Sequence, residues 1–505
     1  MSKQTKKERN KRLTALACLL AADLIFLLTL WLLRSYDEIR PDQFLYQFKT
    51  SMAGTSLVIS LDAVAVMGGG TLALLAAQLG LYRLLAGRWQ QLRRRSRLYL
   101  RYCAVAFSRF FRRRALALSA ALLCISALVL IDCLNVFAYA AALVTESDFI
   151  ADNYADPDAV ELTFPQQKRN LIYIYLESME NTYGDASALG QDYIPELTAL
   201  ARENVSFSHS DGLGGALSYT GTTWTAAAMV AQTAGVPVKV SLVGDELGGE
   251  DPYMPGCTTL GDILDRAGYE QVLLLGSDAS FANREAYFTE HGDYTIVDID
   301  SLKAEGRLEQ DYYQWWGYED EKLFAYTREE LTALAGRGEP FNFTLLTADT
   351  HFPDGYFCRL CGDEHDRQYA NVLACSSRQV EDFVQWIRQQ PFYANTTIVL
   401  CGDHLTMDPE FLEGLDEGYT RTIYNCIINA AVEPVCTTQR QFAVFDLFPT
   451  TLSAMGVTIG GDRLGLGTDL FSATATLTEA YGYDYLEWEL QKNSAYYEQE
   501  IYEEG

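Results

Sequence analysis

The richest chemistry in this chain lies where a carboxylate and an imidazole follow a short apolar run, at 395–404, NTTIVLCGDH. Residues 396–401 are β-branched and apolar, which predicts a buried strand. The run stops at Gly402, and Asp403 and His404 come next. The carboxyl end of a buried strand is where open α/β sheets gather ligands and metals. A hard oxygen beside a neutral ring nitrogen suits Zn2+ or Mn2+ better than Ca2+. Taken alone, the pair is as well explained by a turn Asp and a surface His. Three more strands of the same kind change that balance. The stretch 170–176, NLIYIYL, runs into Glu177; 271–275 runs into Gly276-Ser277-Asp278; and 341–347 runs into Asp349-Thr350-His351.

Glu177, Asp403 and His404 would give a metal three ligands and leave one position open, as catalytic sites require. The open position calls for a nucleophile. The run 222–229, TTWTAAAM, follows a loop rich in Gly and Ser and is closed by Gly235 and Pro237, so it predicts a helix whose Thr residues can cap it. A Thr hydroxyl there has the positive end of the helix dipole beside it, and a divalent cation would acidify it further. Thr225 and Thr223 are the candidates for a nucleophile able to attack phosphorus. The plainer role for either is a helix cap.

These residues need a scaffold that brings strand ends together. Helices are predicted over 194–203, 259–267, 318–334 and 378–389, alternating with the four strands and a further strand at 423–429. That alternation implies an α/β domain, over 169–480, with a mostly parallel sheet covered by helices on both faces. The polar stretch 145–168, with Pro157 and Pro165, is expected to be a linker. The tail 481–505, rich in Tyr and Glu, is expected to be a last helix or a frayed end.

The first part of the chain is different in kind. Residues 1–144 hold 20 Lys and Arg against 7 Asp and Glu; the rest hold 19 against 60, which makes the whole chain −28. The acidic part is no partner for nucleic acid. Three apolar runs, 13–33, 57–85 and 115–144, are long enough to span a bilayer. The first is too long, and lacks a clean cleavage site, for a signal peptide. Asp23, Asp62 and Asp132 fall in these runs and are expected near the interfaces. The basic N-terminus and the Arg-rich loop 88–114 place both in the cytoplasm, and three spans then leave everything after Val144 outside. All five His and seven of the eleven Cys lie in that outer part. Disulfides are permitted there, but seven is odd. Cys358-Arg-Leu-Cys361 resembles half a zinc knuckle without a second CxxC, which favours a local disulfide or free thiols, with the pairing of Cys358, Cys361 and Cys375 open.

Six stretches in order across about 300 residues carry a resemblance: NLIYIYLES at 170–178, TGTTWTAAAMVAQTAGVP at 220–237, GSDASFA at 276–282, LTADTHFPDGY at 346–356, VLCGDH at 399–404 and FDLFPTTLSAMG at 445–456. The outer domain resembles the alkaline-phosphatase/sulfatase superfamily, and within it the membrane-anchored phosphoglycerol transferases, both lipoteichoic acid synthases and the phosphoglycerol transferase I group. The resemblance implies that Glu177, Asp403 and His404 bind a divalent cation, Mn2+ in this group, with Mg2+ or Zn2+ as alternatives. It implies that a Thr completes the metal site and becomes the covalent intermediate. Thr225 is favoured because the Trp224-Thr225 pair is shared with the glucan-type enzymes, with Thr223 kept as the alternative. His351 matches a His that contacts the phosphoryl or leaving group. Arg284 falls where lipoteichoic acid synthases carry a phosphate-binding Arg, although Ala282 and Leu275 depart from that pattern, so that Asp278 is expected to share the substrate contact.

The activity implied is metal-dependent transfer of glycerophosphate from phosphatidylglycerol to a glycan, glycolipid or polyglycerophosphate acceptor, releasing diacylglycerol. Phosphoethanolamine transfer uses the same chemistry and is the nearest alternative. A true sulfatase needs a Cys or Ser followed two residues later by Pro and then an Arg, and this sequence has no such motif. A tethered binding domain without catalysis is a third possibility, against which the intact Glu177, Thr225, Asp403 and His404 stand.

Overall fold

The computed structural model describes residues 3–36, 40–49, 57–78, 80, 98–240, 253–416 and 418–503. The Arg-rich stretch 93–97 and the end of the second expected span, 81–85, lie outside them. The chain divides into two compact units, Met1–Ile39 with Thr55–Ala138, and Arg40–Gly54 with Tyr139–Gly505.

Among the described residues of the first unit, three helices are long and apolar enough to cross a membrane: Glu8–Ser35, Leu61–Gln78 and Arg114–Cys133. The third expected span, 115–144, is broken, because the chain turns through a positive φ at Asn135 before the short helix Val136–Leu143. Asp23 stands at the middle of its helix rather than near an end, and Gln78 donates to its carboxylate at 2.8 Å. Asp62 takes a bond from Trp31 Nε1 at 2.9 Å. An in-span carboxylate with a polar partner is far less costly than one facing hydrocarbon alone.

The second unit is built on a six-stranded sheet. Its order is Thr295–Val297, Glu270–Leu275, Phe341–Leu346, Asn170–Leu176, Thr396–Gly402 and Asn425–Ile428, with only the last pair antiparallel. The central strands are buried along their whole length, as their unbroken apolar runs require. Alternate side chains feed two separate cores. Leu171, Tyr173 and Tyr175 pack on the face covered by Thr225–Ala234, Leu260–Arg266 and Leu447–Ala454. Ile172, Ile174 and Leu176 pack on the face covered by Pro195–Glu203, Asp320–Ala335 and Gln368–Arg388. The expected sulfatase-like α/β architecture, covered on both faces, is present.

Three boundaries differ from the sequence expectation. The helix expected over 378–389 begins ten residues earlier, at Gln368, because Tyr369, Ala370, Val372 and Leu373 extend its apolar stripe into the core. The stretch 145–168, expected as a linker, folds against this unit instead. Phe149 and Ile150 are buried in a short helix, and Leu162–Thr163 pairs with Thr458–Ile459. The tail also packs: Tyr483–Gln491 is a helix with Leu486 and Leu490 in the core, followed by buried Tyr497 and Ile501.

Candidate active site

Register decides what meets at the carboxyl edge of the sheet. Leu176 pairs with Gly402 across two parallel strands, so Glu177 and Asp403 are the next residues out on each. Gly402 is the only residue type that fits there, since a Cβ would strike the Met179 carbonyl. Glu177, Asp403 and His404 are at most 3% exposed, and one ligand atom from each falls within a 4.8 Å group. His404 Nε2 lies 3.4 Å from Asp403 Oδ2 and 3.7 Å from Glu177 Oε1.

Each of the three is oriented from behind. Asp403 Oδ1 accepts the backbone amides of Ser178 at 2.7 Å and His404 at 2.8 Å. The Ser178 hydroxyl donates to Glu177 Oε1 at 2.7 Å, and the Glu177 amide donates to Thr347 Oγ1 at 3.0 Å. His404 Nδ1 lies 2.8 Å from the Leu405 carbonyl, a bond that puts the proton on Nδ1 and leaves the Nε2 lone pair facing the carboxylates. Asp403 Oδ2 is buried with no hydrogen-bond partner. Burial, with Glu177 alongside, pushes Asp403 up to about 7. Burial also opposes charge on His404, but Asp403 and Glu177 outweigh it and raise its pKa. Two buried carboxylates, an orphaned oxygen and an inward lone pair make a donor set that fits a divalent cation.

Thr225 joins this cluster and Thr223 does not. Thr225 is the first residue of its helix, and its Oγ1 lies 3.4 Å from Glu177 Oε2 and 3.4 Å from His404 Nε2. The expected Thr cap is absent. The N-cap is Trp224, with no side-chain bond, and Thr222 instead bonds the backbone of Tyr219. The Thr225 hydroxyl is thereby left to the site. Thr223 Oγ1 accepts from Gln43 Nε2 at 2.7 Å, away from the ligands.

The other expected residues stand on loops around this floor. Arg284, 6% exposed, begins the helix Arg284–Glu290, where its guanidinium donates to Ser277 Oγ at 3.1 Å and to the carbonyls of Asp278 and Phe281. Burial lowers its pKa to about 10, so it stays cationic at neutral pH, and no carboxylate pairs with it among the described residues. Asp278 holds the same loop, accepting from the Ser280 amide at 2.8 Å. His351 is half-buried; its ring sits 4.4 Å from that of Trp316, and its Nδ1 lies 2.7 Å from the Phe352 carbonyl. Burial drops it to about 4, so it is neutral at pH 7 with Nε2 open as an acceptor.

Sequence reasoning missed several supporting residues. Glu180 is fully buried and takes a two-pronged bond from Arg421, whose Nη2 also donates to the Thr406 carbonyl. This ties the chain just after His404 to the chain just after Glu177. Asp349 serves the fold rather than the site: its carboxylate accepts the Asp320 amide, while Asp320 accepts those of Ala348 and Asp349. Glu180 could have been suspected from its place three residues after Glu177; Arg421 and Trp316 could not.

Known proteins are similar to part of this chain. Phosphoglycerol transferase I of Salmonella choleraesuis strain SC-B67 is 32% identical over 252 residues, 49% of this chain and 32% of that protein. The same enzyme of Citrobacter koseri gives the same figures. The chain thus spans about a third of the length of these curated relatives. Among solved structures, the lipoteichoic acid synthase LtaP of Listeria monocytogenes aligns over 64% of this chain and 81% of its own, at 18% identity and a TM-score of 0.46. The Streptococcus pyogenes phosphoglycerol transferase GacH, in complex with sn-glycerol-1-phosphate, aligns over 61% and 77% at 14% identity and a TM-score of 0.39. The family model described as Sulfatase matches residues 169–457, more than half of the 505, and covers every strand end described above; the chain belongs to the sulfatase family.

Proposed function

We propose that this protein is a membrane-anchored phosphoglycerol transferase that moves glycerophosphate from phosphatidylglycerol to a glycan, glycolipid or polyglycerophosphate acceptor. One observation carries the reading: the Thr225 hydroxyl stands 3.4 Å from both Glu177 and His404 in a buried donor set built for a cation. Glu177, Asp403 and His404, with Thr225, would hold that cation, Mn2+ by family resemblance. When bound there it supplies Lewis-acid neutralisation of phosphoryl charge and a lower pKa for the Thr225 alcohol.

Thr225 Oγ gives its proton to water and forms the bond to phosphorus while the bond from phosphorus to the diacylglycerol oxygen breaks. With His351 neutral, that leaving oxygen takes its proton from water. In the second half, the acceptor hydroxyl gives its proton to His351 Nε2 and attacks phosphorus, and the displaced Thr225 oxygen takes that proton from His351. Arg284, cationic and without a carboxylate partner, is suited to hold the phosphate, with Asp278 fixing its loop. The domain lies outside the cell and the N-terminus in the cytoplasm. The helix Pro41–Lys49, between the first and second spans, supports this topology because it belongs to the same compact unit as the domain.

The test incubates the full chain in detergent with Mn2+ and a phosphatidylglycerol bearing a fluorescent acyl chain, beside a phosphatidylethanolamine analogue. Labelled diacylglycerol from the first lipid alone, abolished by Thr225→Ala and retained by Thr223→Ala, is the expected result. Release from the ethanolamine lipid instead would make it a phosphoethanolamine transferase, and metal bound without release from either would sink the donor.

A further inference from the structure

Three sulfurs meet away from the active site. Cys358 Sγ lies 3.6 Å from Cys361 Sγ and 3.7 Å from Cys375 Sγ, and all three fall within 4.8 Å of one another. None of them is in a disulfide. We propose that Cys358, Cys361 and Cys375 form a three-thiolate site for a thiophilic metal ion, Zn2+ being the test case. Thiolates around one tetrahedral Zn2+, with bonds of about 2.3 Å, stand roughly 3.8 Å apart, which is close to the two spacings here. The Gln379 side-chain amide donates to Cys375 Sγ at 3.4 Å. A donor aimed at sulfur stabilises thiolate charge, the outer shell a metal ligand needs. A disulfide would consume two of the three and leave a thiol pressed against it; one metal uses all three.

The site has a structural consequence. Cys358 and Cys361 lie on the loop that carries His351, and Cys375 lies on the helix Gln368–Arg388. Binding, with release of the thiol protons to solvent, clamps that loop to the core helix. The test purifies the full chain without chelator, with Asp403→Asn as the background in which the catalytic donor set is disabled. Elemental analysis is expected to find one zinc per chain in Asp403→Asn and none once Cys361→Ser is added. Cd2+ exchange should give a thiolate charge-transfer band that the same substitution removes. Cys361 is only half-buried, so this change spares the core; Cys358→Ser gives a second reading. A chain two hydrogens lighter by intact mass, with a single free thiol among the three, would overturn the proposal in favour of a disulfide. Three free thiols without metal would overturn it as well.

A different observation carries a second inference, which rests on the transferase reading. The helix Pro41–Lys49 touches both catalytic turns. Gln43 Nε2 donates to the Thr223 carbonyl at 2.9 Å and to its hydroxyl, and Asp42 accepts the Gly221 amide at 3.1 Å. Arg40 pairs with Glu487 at 2.8 Å and also donates to Thr220. The Tyr46 ring lies 4.9 Å from that of Trp224, and its hydroxyl donates to the Ala282 carbonyl at 2.8 Å. We infer that Gln43 and Tyr46 are positioning residues, by which the segment between the first two spans sets the turns bearing Thr225 and Arg284. In the full chain, Gln43→Ala should lower kcat on the order of tenfold with KM and bound metal unchanged, because a small misplacement of a nucleophile costs rate before binding. Amide exchange at 221–226 should speed up, and Tyr46→Phe, which keeps the ring against Trp224, should do less. Unchanged exchange and unchanged kcat would overturn it. If the wild-type chain acts on neither lipid, the transferase reading fails, and the exchange measurement still decides the brace.

Discussion

The active site has a floor and a rim, and the two are held by different means. The floor is Glu177, Asp403 and His404, carried on adjacent parallel strands whose register leaves no choice about what meets. Its orienting bonds come from Ser178, Thr347 and Leu405, all within three residues of a strand end. The rim is Arg284, Asp278 and His351, on loops whose anchors come from across the domain. One such anchor is Trp316 against His351, and another is Tyr46 on the Ala282 carbonyl next to Arg284. Metal chemistry is thus fixed by the sheet, and substrate handling by contacts between segments far apart in sequence. Substitutions should separate cleanly into those that empty the floor and those that blunt the rim.

The largest effect expected is at the floor. Asp403→Asn keeps the shape and the hydrogen-bond acceptor of Oδ1 but removes a ligand charge. It should cost metal affinity by more than the roughly 10–100-fold that loss of an outer partner costs, and turnover with it. Calorimetric titration of Mn2+ into the variant checks this, and unchanged affinity would show that the cation does not bind there. Next comes the rim: Arg284→Ala should reduce kcat/KM on the order of 10–100-fold, the worth of a charge-assisted bond to phosphate, while metal affinity stays at the wild-type value. A parallel loss of metal would collapse the distinction between floor and rim. Ser178→Ala, which takes the hydroxyl from Glu177 Oε1, should do the reverse at smaller scale. Metal affinity falls about tenfold and KM for the lipid stays put.

The same division explains what could be read from the sequence. The strand 170–176 and the residues at its end are spelled out locally, by an unbroken apolar run and the polar residue that stops it, and the 396–402 strand is equally plain. Thr225 was separable from Thr223 only in three dimensions, because both precede the same Ala-rich helix and the choice depends on which hydroxyl Gln43 occupies. Cys358, Cys361 and Cys375 could be grouped from the sequence but their arrangement could not, since Cys375 sits seventeen positions from Cys358 on a helix whose start was misplaced. Glu180 and Arg421 form a buried pair that no spacing announces. The linker was misjudged, and the tail left open between a last helix and a frayed end, for a common reason. Their apolar residues are few and irregularly spaced, and it is a partner surface, such as the core around Leu486 and Tyr497, that gives them structure.

A further effect is one of pH, and the part of it that metal should abolish belongs to the floor. Burial, with Glu177 alongside, holds Asp403 at about 7, well above the ordinary carboxylate value of 3.8, in the metal-free protein. The folded state therefore binds a proton that the unfolded state has released between those values. The Asp403 contribution to metal-free stability should fall as pH rises from about 4 through 7. His404, raised as well, adds a loss in the same direction as pH climbs through its folded pKa. A bound cation replaces the proton as partner for the charge, so the slope should flatten or vanish with Mn2+ present. The rim acts in the opposite direction: burial lowers His351 from 6.5 to about 4, so the unfolded state holds a proton that the folded state has released, and this contribution to stability rises with pH across that interval whether or not metal is bound. Thermal melts at pH 5, 6, 7 and 8, with chelator and with Mn2+, measure the difference directly. An identical slope in both series would mean that Asp403 is not where the metal sits; a difference between the two series that is present in the wild-type chain and absent in Asp403→Asn would assign it to that carboxylate.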